Sequence, residues 1–211
     1  MSKNSKIFLK KSILSILLWR KLCQYFTQKK SQSQNPLNTK SNPSQLLFEY
    51  DGNINHCFQG IIHHFTEECG GNVDDNGIIK ITASSAIVGY SAKFAADLED
   101  DHHYFSSLSR EDSWLLFDFV DKKVRPINYS IRARHDVGRG QGHPKYWVIE
   151  GSVSDNNDNW ILLDSRNGVT DLDNPSAVAV FNIQSNTDQE FKKLRIRQIN
   201  ENSQGTYNLA I

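Results

Sequence analysis

In this chain of 211 residues, the segment HPKYWVIEGS (residues 143–152) is the most informative about the fold. Residues 146–151 are rich in aromatic and β-branched side chains, with a proline before them and a run of Asn and Asp after them. Such a run between turn-forming residues is typical of a β-strand. Trp147 is a large apolar side chain of the kind that fills the space between two packed sheets. The stretch therefore predicts one strand of a β-sandwich.

Seven other short runs have the same character and are separated by Gly, Pro, Asn and Asp. They are Ile78–Ala83, Trp114–Phe119, Ile127–Arg134, Trp160–Leu163, Ala177–Ile183, Phe191–Gln198 and Thr206–Ile211. Residues 129–134 and 193–197 alternate between apolar and polar, which predicts sheets with one face on a core and the other in water. Residues 114–117 are apolar on both faces and predict a central strand, and one short helix is predicted over Phe58–Glu68. The fold class is therefore all-β, an antiparallel β-sandwich with one short helix.

Charge divides the chain into two parts. Residues 1–48 carry nine Lys and Arg and no acidic residue, so the other 163 residues carry 24 − 9 = 15 basic and 24 acidic side chains, a net charge of −9. Residues 7–26 predict a basic amphipathic helix. It is either a remnant of a preceding domain, a helix that contacts a membrane surface, or a presequence-like segment. The predicted organisation is this segment (1–27), a polar flexible linker (28–45) and the folded domain (46–211).

Composition also bears on partners and compartment. The acidic body argues against nucleic-acid binding, because phosphate contacts need a basic surface. The cysteines, Cys23, Cys57 and Cys69, form no regular framework, which indicates reduced thiols and a cytoplasmic location. A Cys57–Cys69 disulfide is the alternative if the domain is exported.

An ordered series of segments resembles a known family. In chain order they are FQGII (58–62), GGNV (70–73), ITASS (81–85), SWLLFDF (113–119), YSIR (129–132), HPKYWVIEGS (143–152), NW (159–160) and LRIRQ (194–198). The series resembles discoidin domains, also called F5/8 type C or galactose-binding-like domains, and most of all the intracellular kind found with BTB domains. The resemblance implies a jelly-roll sandwich that serves as a non-catalytic binding module.

Two departures from that family limit the resemblance. Extracellular members usually join their two ends by a disulfide, but no cysteine follows Cys69. Members usually end in a strand of the type Ile-Glu-Phe-Phe-Gly, whereas this chain stops at Leu209-Ala210-Ile211. We therefore expect a sandwich without its last strand, in a chain that is either truncated or a piece of a longer, BTB-containing protein.

The loop of residues 134–143 is the first candidate for a ligand or partner site. Its glycines accompany planar, polar and charged side chains that recognise carboxylates, phosphates or sugar hydroxyls in other proteins, namely Arg134, His135, Asp136, Arg139 and His143. The simpler interpretation, which we favour, is a long hairpin loop whose glycines only permit positive φ. Sugar sites also use an exposed aromatic ring, and Tyr90, Tyr104 and Tyr146 are the candidates.

A second loop carries clustered carboxylates. Asp97 and Asp100 are candidate ligands for Ca²⁺, which prefers oxygen donors, and this is the only cofactor the sequence suggests. The simpler interpretation is a solvated acidic loop, because the spacing is not that of an EF-hand.

Known catalytic motifs are absent from the sequence, so we expect a protein that is not an enzyme. The predicted function is a binding module that mediates intracellular protein–protein interaction through its end loops. The alternative is a carbohydrate-binding or anionic-lipid-binding module of the discoidin type.

Overall fold

The computed structural model describes residues 46–97, 103–136, 142–156 and 159–211. The predicted segments 1–27 and 28–45 lie outside the described residues. Within the described ranges, no helix is long and apolar enough to cross a membrane.

The described part of the chain contains two antiparallel sheets. The strands are β1 (Lys80–Ala83), β2 (Trp114–Asp118), β3 (Asn128–Arg132), β4 (Trp147–Ser152), β5 (Ile161–Arg166), β6 (Val178–Asn182) and β7 (Lys193–Gln198). Five of them form a sheet in the order β1-β2-β7-β4-β5, and β3 pairs with β6 in a second sheet. Strand β4, which was predicted from residues 146–151, lies between β7 and β5.

The core lies between the two sheets, as the strand patterns predict. Trp147 is fully buried, and its ring meets Phe181 of β6 edge-on with 5.2 Å between the ring centroids. Tyr129 of β3 reaches across to β5, where its hydroxyl donates a hydrogen bond of 2.6 Å to Asp164. The antiparallel β-sandwich is therefore confirmed. Trp114 and Trp160 are only partly buried, and Trp160 precedes β5 instead of lying in it.

The helix α1 spans Ile61–Cys69 and begins three residues later than predicted. Gly60 is its N-cap in an extended conformation, so residues 58–60 are not helical. Gly70 ends the helix in the left-handed conformation and donates its N–H to the carbonyl of Thr66, a role that suits glycine because it has no Cβ. Phe65 is the buried anchor of the helix.

The outer face of the large sheet carries a charged network. Leu194 and Ile196 of β7 face the core, while Arg195 and Arg197 point to the other side. Both arginines donate to the carboxylate of Glu150 in β4, at 2.6 Å and 3.0 Å. Burial alone would raise the pKa of Glu150, but the hydrogen bonds from Arg197 and Arg195 outweigh it and lower the pKa.

The C-terminal segment pairs with the segment before β2. Residues 206–211, predicted as a strand, form only an isolated bridge between Ala210 and Ser106. Phe105 and Ile211 exchange two backbone hydrogen bonds, of 2.8 Å and 3.1 Å, and Leu209 is fully buried. The absence of a last family strand stays a prediction.

Candidate ligand-binding site

Two loops that are distant in sequence meet at one end of the small sheet. Arg134 follows β3, and its carbonyl accepts a hydrogen bond of 3.2 Å from the N–H of Ser176. Tyr104 precedes Phe105, whose backbone is held by Ile211. Both side chains therefore project from backbone that is tied to other parts of the sandwich.

Tyr104, Arg134 and Asp136 form a closed triangle of hydrogen bonds, which we call the Tyr104 cluster. Arg134 donates from Nε and Nη2 to the two oxygens of Asp136, at 2.8 Å and 2.9 Å. Arg134 Nη2 also donates to the hydroxyl of Tyr104 at 2.7 Å, and that hydroxyl donates to Asp136 Oδ2 at 2.8 Å. Bidentate arginine–carboxylate pairs of this kind combine strength with fixed geometry.

Aromatic rings surround the cluster. The Arg134 guanidinium lies 4.8 Å from the centroid of the Tyr104 ring, and Tyr90 packs against the same ring at 4.6 Å. His135 meets Tyr104 edge-on at 5.9 Å. Tyr104 is only 6% exposed, so the prediction that its ring is an open surface for a ligand is wrong: Arg134 and Tyr90 cover it. Tyr90 and His135 are half-buried and present the accessible rings.

Electrostatics keep the cluster charged. The hydrogen bonds from Arg134 hold the pKa of Asp136 at about 2, although burial acts in the opposite direction. Burial and the hydrogen bond to Asp136 raise the pKa of Tyr104, so the phenol stays protonated at neutral pH. The side chains of Arg134 and Asp136 are 16% and 34% exposed, so part of each polar surface faces solvent.

His143, a predicted loop residue, has a different position. It is fully buried, its N–H donates to Ser203 Oγ at 2.9 Å, and its carbonyl accepts from Ser203 N at 3.1 Å. A fully buried His143 cannot face a ligand in solution, so its position does not fit the prediction that it is part of a ligand site. Arg139 lies outside the described residues.

The segment 202–205 was missed by sequence reasoning. Besides the Ser203 contacts, Gln204 Oε1 and Arg134 Nη1 lie 3.6 Å and 3.4 Å from the place that a Cβ atom would take at Gly142. The only local signal was the NSQG turn (residues 202–205), which gives no indication of what it contacts.

Of the two predicted calcium ligands, the structure describes only Asp97. Asp97 Oδ1 accepts a hydrogen bond of 2.6 Å from Asn72 Nδ2, while Asp100 lies outside the described residues. Among the residues that the structure describes, no group of three His, Cys, Asp or Glu side chains is placed to hold a metal. Calcium binding by this loop stays a prediction.

Comparisons with known proteins show the fold. No protein-family model and no curated protein matches the chain. Among solved structures, the CBM32-1 and CBM32-2 domains of ZmpB from Clostridium perfringens, in complex with GalNAc, match with a TM-score of 0.50 and 16% identity. The match covers 72% of this chain and 37% of that two-domain chain. The fold is the discoidin, or galactose-binding-like, β-sandwich.

Two further solved structures match with TM-scores below 0.50. CpGH89CBM32-5 from Clostridium perfringens, in complex with GalNAc-β-1,3-galactose, matches with a TM-score of 0.48 and 14% identity over 63% of this chain and 91% of that one. CBM32-1 from a family 31 glycoside hydrolase of the same organism has a TM-score of 0.47 and 17% identity over 63% and 88% of the two chains.

Proposed function

We propose that this galactose-binding-like sandwich is a carbohydrate-binding module and that the Tyr104 cluster is its sugar site. The observation that carries the proposal is the closed triangle of Arg134, Asp136 and Tyr104 at one end of the sandwich. A sugar hydroxyl both donates and accepts hydrogen bonds, so it suits a site where guanidinium donors and a carboxylate acceptor lie side by side. The side chains already hold each other in place, so binding requires little ordering of the site.

Apolar contact accompanies these polar groups. The half-buried rings of Tyr90 and His135 flank the cluster and offer surface for the C–H groups of a sugar. Small-ligand sites combine such apolar surface with a few fixed polar groups.

The shared fold supports the same proposal. The ZmpB domains with the same fold were solved with GalNAc bound. At 16% identity that likeness shows the fold alone, and a fold hosts many functions, so the case depends on the side chains of this chain.

The other functional predictions stay predictions. They are an intracellular protein partner, a cytoplasmic location, membrane-surface contact by residues 7–26 and the lack of enzymatic activity. We favour a sugar as the ligand because the Tyr104 cluster is small, polar and preformed.

A glycan array tests the proposal. We expect the wild-type protein to bind at least one glycan class and the Arg134→Ala/Asp136→Ala variant to lose about tenfold or more in affinity, since a hydrogen bond to a charged group contributes about 1.5–3 kcal/mol. Arg110→Ala, which changes an exposed arginine in another loop, is the matched control. Undiminished binding by the double variant would exclude the Tyr104 cluster, and no binding by the wild type would argue against a carbohydrate module.

A further inference from the structure

A cleft lies at the end of the small sheet opposite the Tyr104 cluster. It is lined by residues 125–127, just before β3, and by residues 183–188, just after β6, and has a volume of about 360 Å³. This volume falls within the range of about 300–1,000 Å³ that is typical of small-molecule sites. The cleft shares no residue with the Tyr104 cluster, which follows the opposite end of β3.

The cleft arises from an unequal pairing of two chain segments. Ile183 N donates to Ile127 O at 3.0 Å, and Val124 and Phe191 exchange backbone hydrogen bonds of 2.9 Å and 2.7 Å. Between these two pairings one segment has only residues 125–126, whereas the other has residues 184–190, so the longer segment must loop away. Ser185 N donates to Leu163 O at 2.8 Å, which fastens this loop to β5. The walls of the cleft are therefore held by hydrogen bonds at both ends and in the loop.

The lining has both donors and acceptors and is balanced in charge. Arg125 Nη1 donates to Asp188 Oδ1 at 2.7 Å, and the two side chains are 46% and 100% exposed. Such an exposed ion pair contributes little stability, so both groups can exchange part of their pairing for a ligand. Gln184 and Asn186, which carry amide side chains, line the same cleft. Pro126 and Ile127 add apolar surface to the lining.

We propose that this cleft is a second saccharide site that takes a neutral sugar. Each sugar hydroxyl is both a donor and an acceptor and so matches a lining of amides and a guanidinium–carboxylate pair. A phosphate or a carboxylate is a poorer match, because Asp188 already balances the charge of Arg125 and would repel an anion.

Two sites on one module have a consequence for avidity. The five residues of β3 separate the cleft from the Tyr104 cluster by roughly 17 Å at about 3.3 Å per residue. A module with two separated sites holds a branched or multivalent glycan surface more tightly than either site holds a single sugar.

An NMR titration of the full chain tests the proposal. The probes are galactose, N-acetylgalactosamine, lactose and galacturonic acid, each followed through backbone amide shifts. We expect saturable shifts of residues 184–188 with at least one neutral sugar, both in the wild type and in the Arg134→Ala/Asp136→Ala variant. Arg125→Ala/Gln184→Ala should weaken the binding seen at residues 184–188 by about tenfold or more, while Lys123→Ala, an exposed change beside the cleft, should not.

The same spectra distinguish a failure of the cleft proposal from a failure of the Tyr104-cluster proposal. No saturable shift of residues 184–188 with any neutral sugar, a response to galacturonic acid alone, or undiminished binding by Arg125→Ala/Gln184→Ala would overturn the second site. Failure of the Tyr104 cluster would appear instead as unchanged amides at residues 104 and 134–136. Preserved dispersion of the remaining peaks checks that each variant is folded.

Discussion

The hydroxyl of Tyr104 accepts a hydrogen bond from Arg134 and donates one to Asp136. Tyr104→Phe keeps the ring and removes both contacts. We expect it to destabilise the domain by about 1–3 kcal/mol, because a buried hydrogen-bonded group loses its partner, and to weaken sugar binding. Urea denaturation and a binding titration measure the two effects.

Tyr50→Phe, in a half-buried tyrosine near the start of the described chain, is the matched control. Equal stability of the two variants would show that the Tyr104 hydroxyl does not stabilise the cluster.

The carboxylate of Asp136 predicts how the cluster responds to acid. Its pKa is lowered from 3.8 to about 2, chiefly by the hydrogen bonds from Arg134. A lowered pKa stabilises the folded state above the unfolded value of 3.8, and this contribution is lost as the pH falls toward about 2.

Above that window Asp136 stays ionised, so we expect its contribution to sugar binding to be independent of pH around neutrality. Binding curves of the wild type and Asp136→Asn, measured at several pH values near neutral, provide the check. A ratio of affinities that changed with pH in this range would contradict the ionised state assigned to Asp136.

At the scale of elements, β4 has no room for a side chain at Gly151. A Cβ atom there would lie 2.5 Å from the ring of Phe191, which is itself fully buried. We expect Gly151→Ala to destabilise the domain by about 1–3 kcal/mol, because the ring and the strand must shift to relieve the overlap. Thermal unfolding followed by circular dichroism measures the loss.

Gly60→Ala is the control for this change, because no atom lies within 4 Å of the added Cβ and φ at Gly60 is negative. Comparable destabilisation by both substitutions would mean that the Phe191 contact is not the cause.

The C-terminal segment provides a second test at this scale. Ending the chain after Asn208 removes buried Leu209 and the backbone pairing of Ile211 with Phe105. Burial of a leucine alone contributes about 1.5–3 kcal/mol, so we expect a loss of at least this size in urea denaturation. Adding a Gly-Ser pair after Ile211 is the control, and a truncated domain as stable as this control would contradict the contribution assigned to the pairing.

For the whole molecule, the described body is a compact unit from Leu47 to Ile211. We expect residues 46–211 to fold without the preceding segment and to unfold within about 2 °C of the full chain, a shift that corresponds to less than about 1 kcal/mol at this size. Differential scanning calorimetry of both proteins makes the comparison. A shortened chain that melts many degrees lower would show that residues 1–45 stabilise the sandwich.

Local patterns predict most of this fold, because strand alternation and turn residues act over a few positions. The strand at 146–151 was predicted from its own residues, and the neighbouring strands β5 and β7 were predicted from theirs. The start of α1 was misplaced because a glycine in sequence does not reveal whether it caps a helix or lies within it. Residues 206–211 have a strand-like composition, but their pairing with residues 105–107 is too short to form a regular strand.

The candidate site depends on contacts that no local pattern reveals. The loop with Arg134 and Asp136 was predicted, but its hydrogen bonds to Tyr104 join positions about 30 residues apart in sequence. The buried position of His143 depends on Ser203, 60 residues away. The cleft beside Arg125 exists because residue 127 pairs with residue 183 and residue 124 with residue 191, and composition does not specify this register.

The pairing of Phe105 with Ile211 has a consequence for synthesis. The two segments lie about a hundred residues apart, as the contact between Ser107 and Leu209 shows with a separation of 102 positions. While the chain is being made, Phe105 leaves the ribosome long before its partner exists, and its backbone groups stay unpaired in the nascent chain. The segment with Tyr104 therefore reaches its final form only after residue 211 has also left the ribosome, and until then its unpaired backbone is open to aggregation.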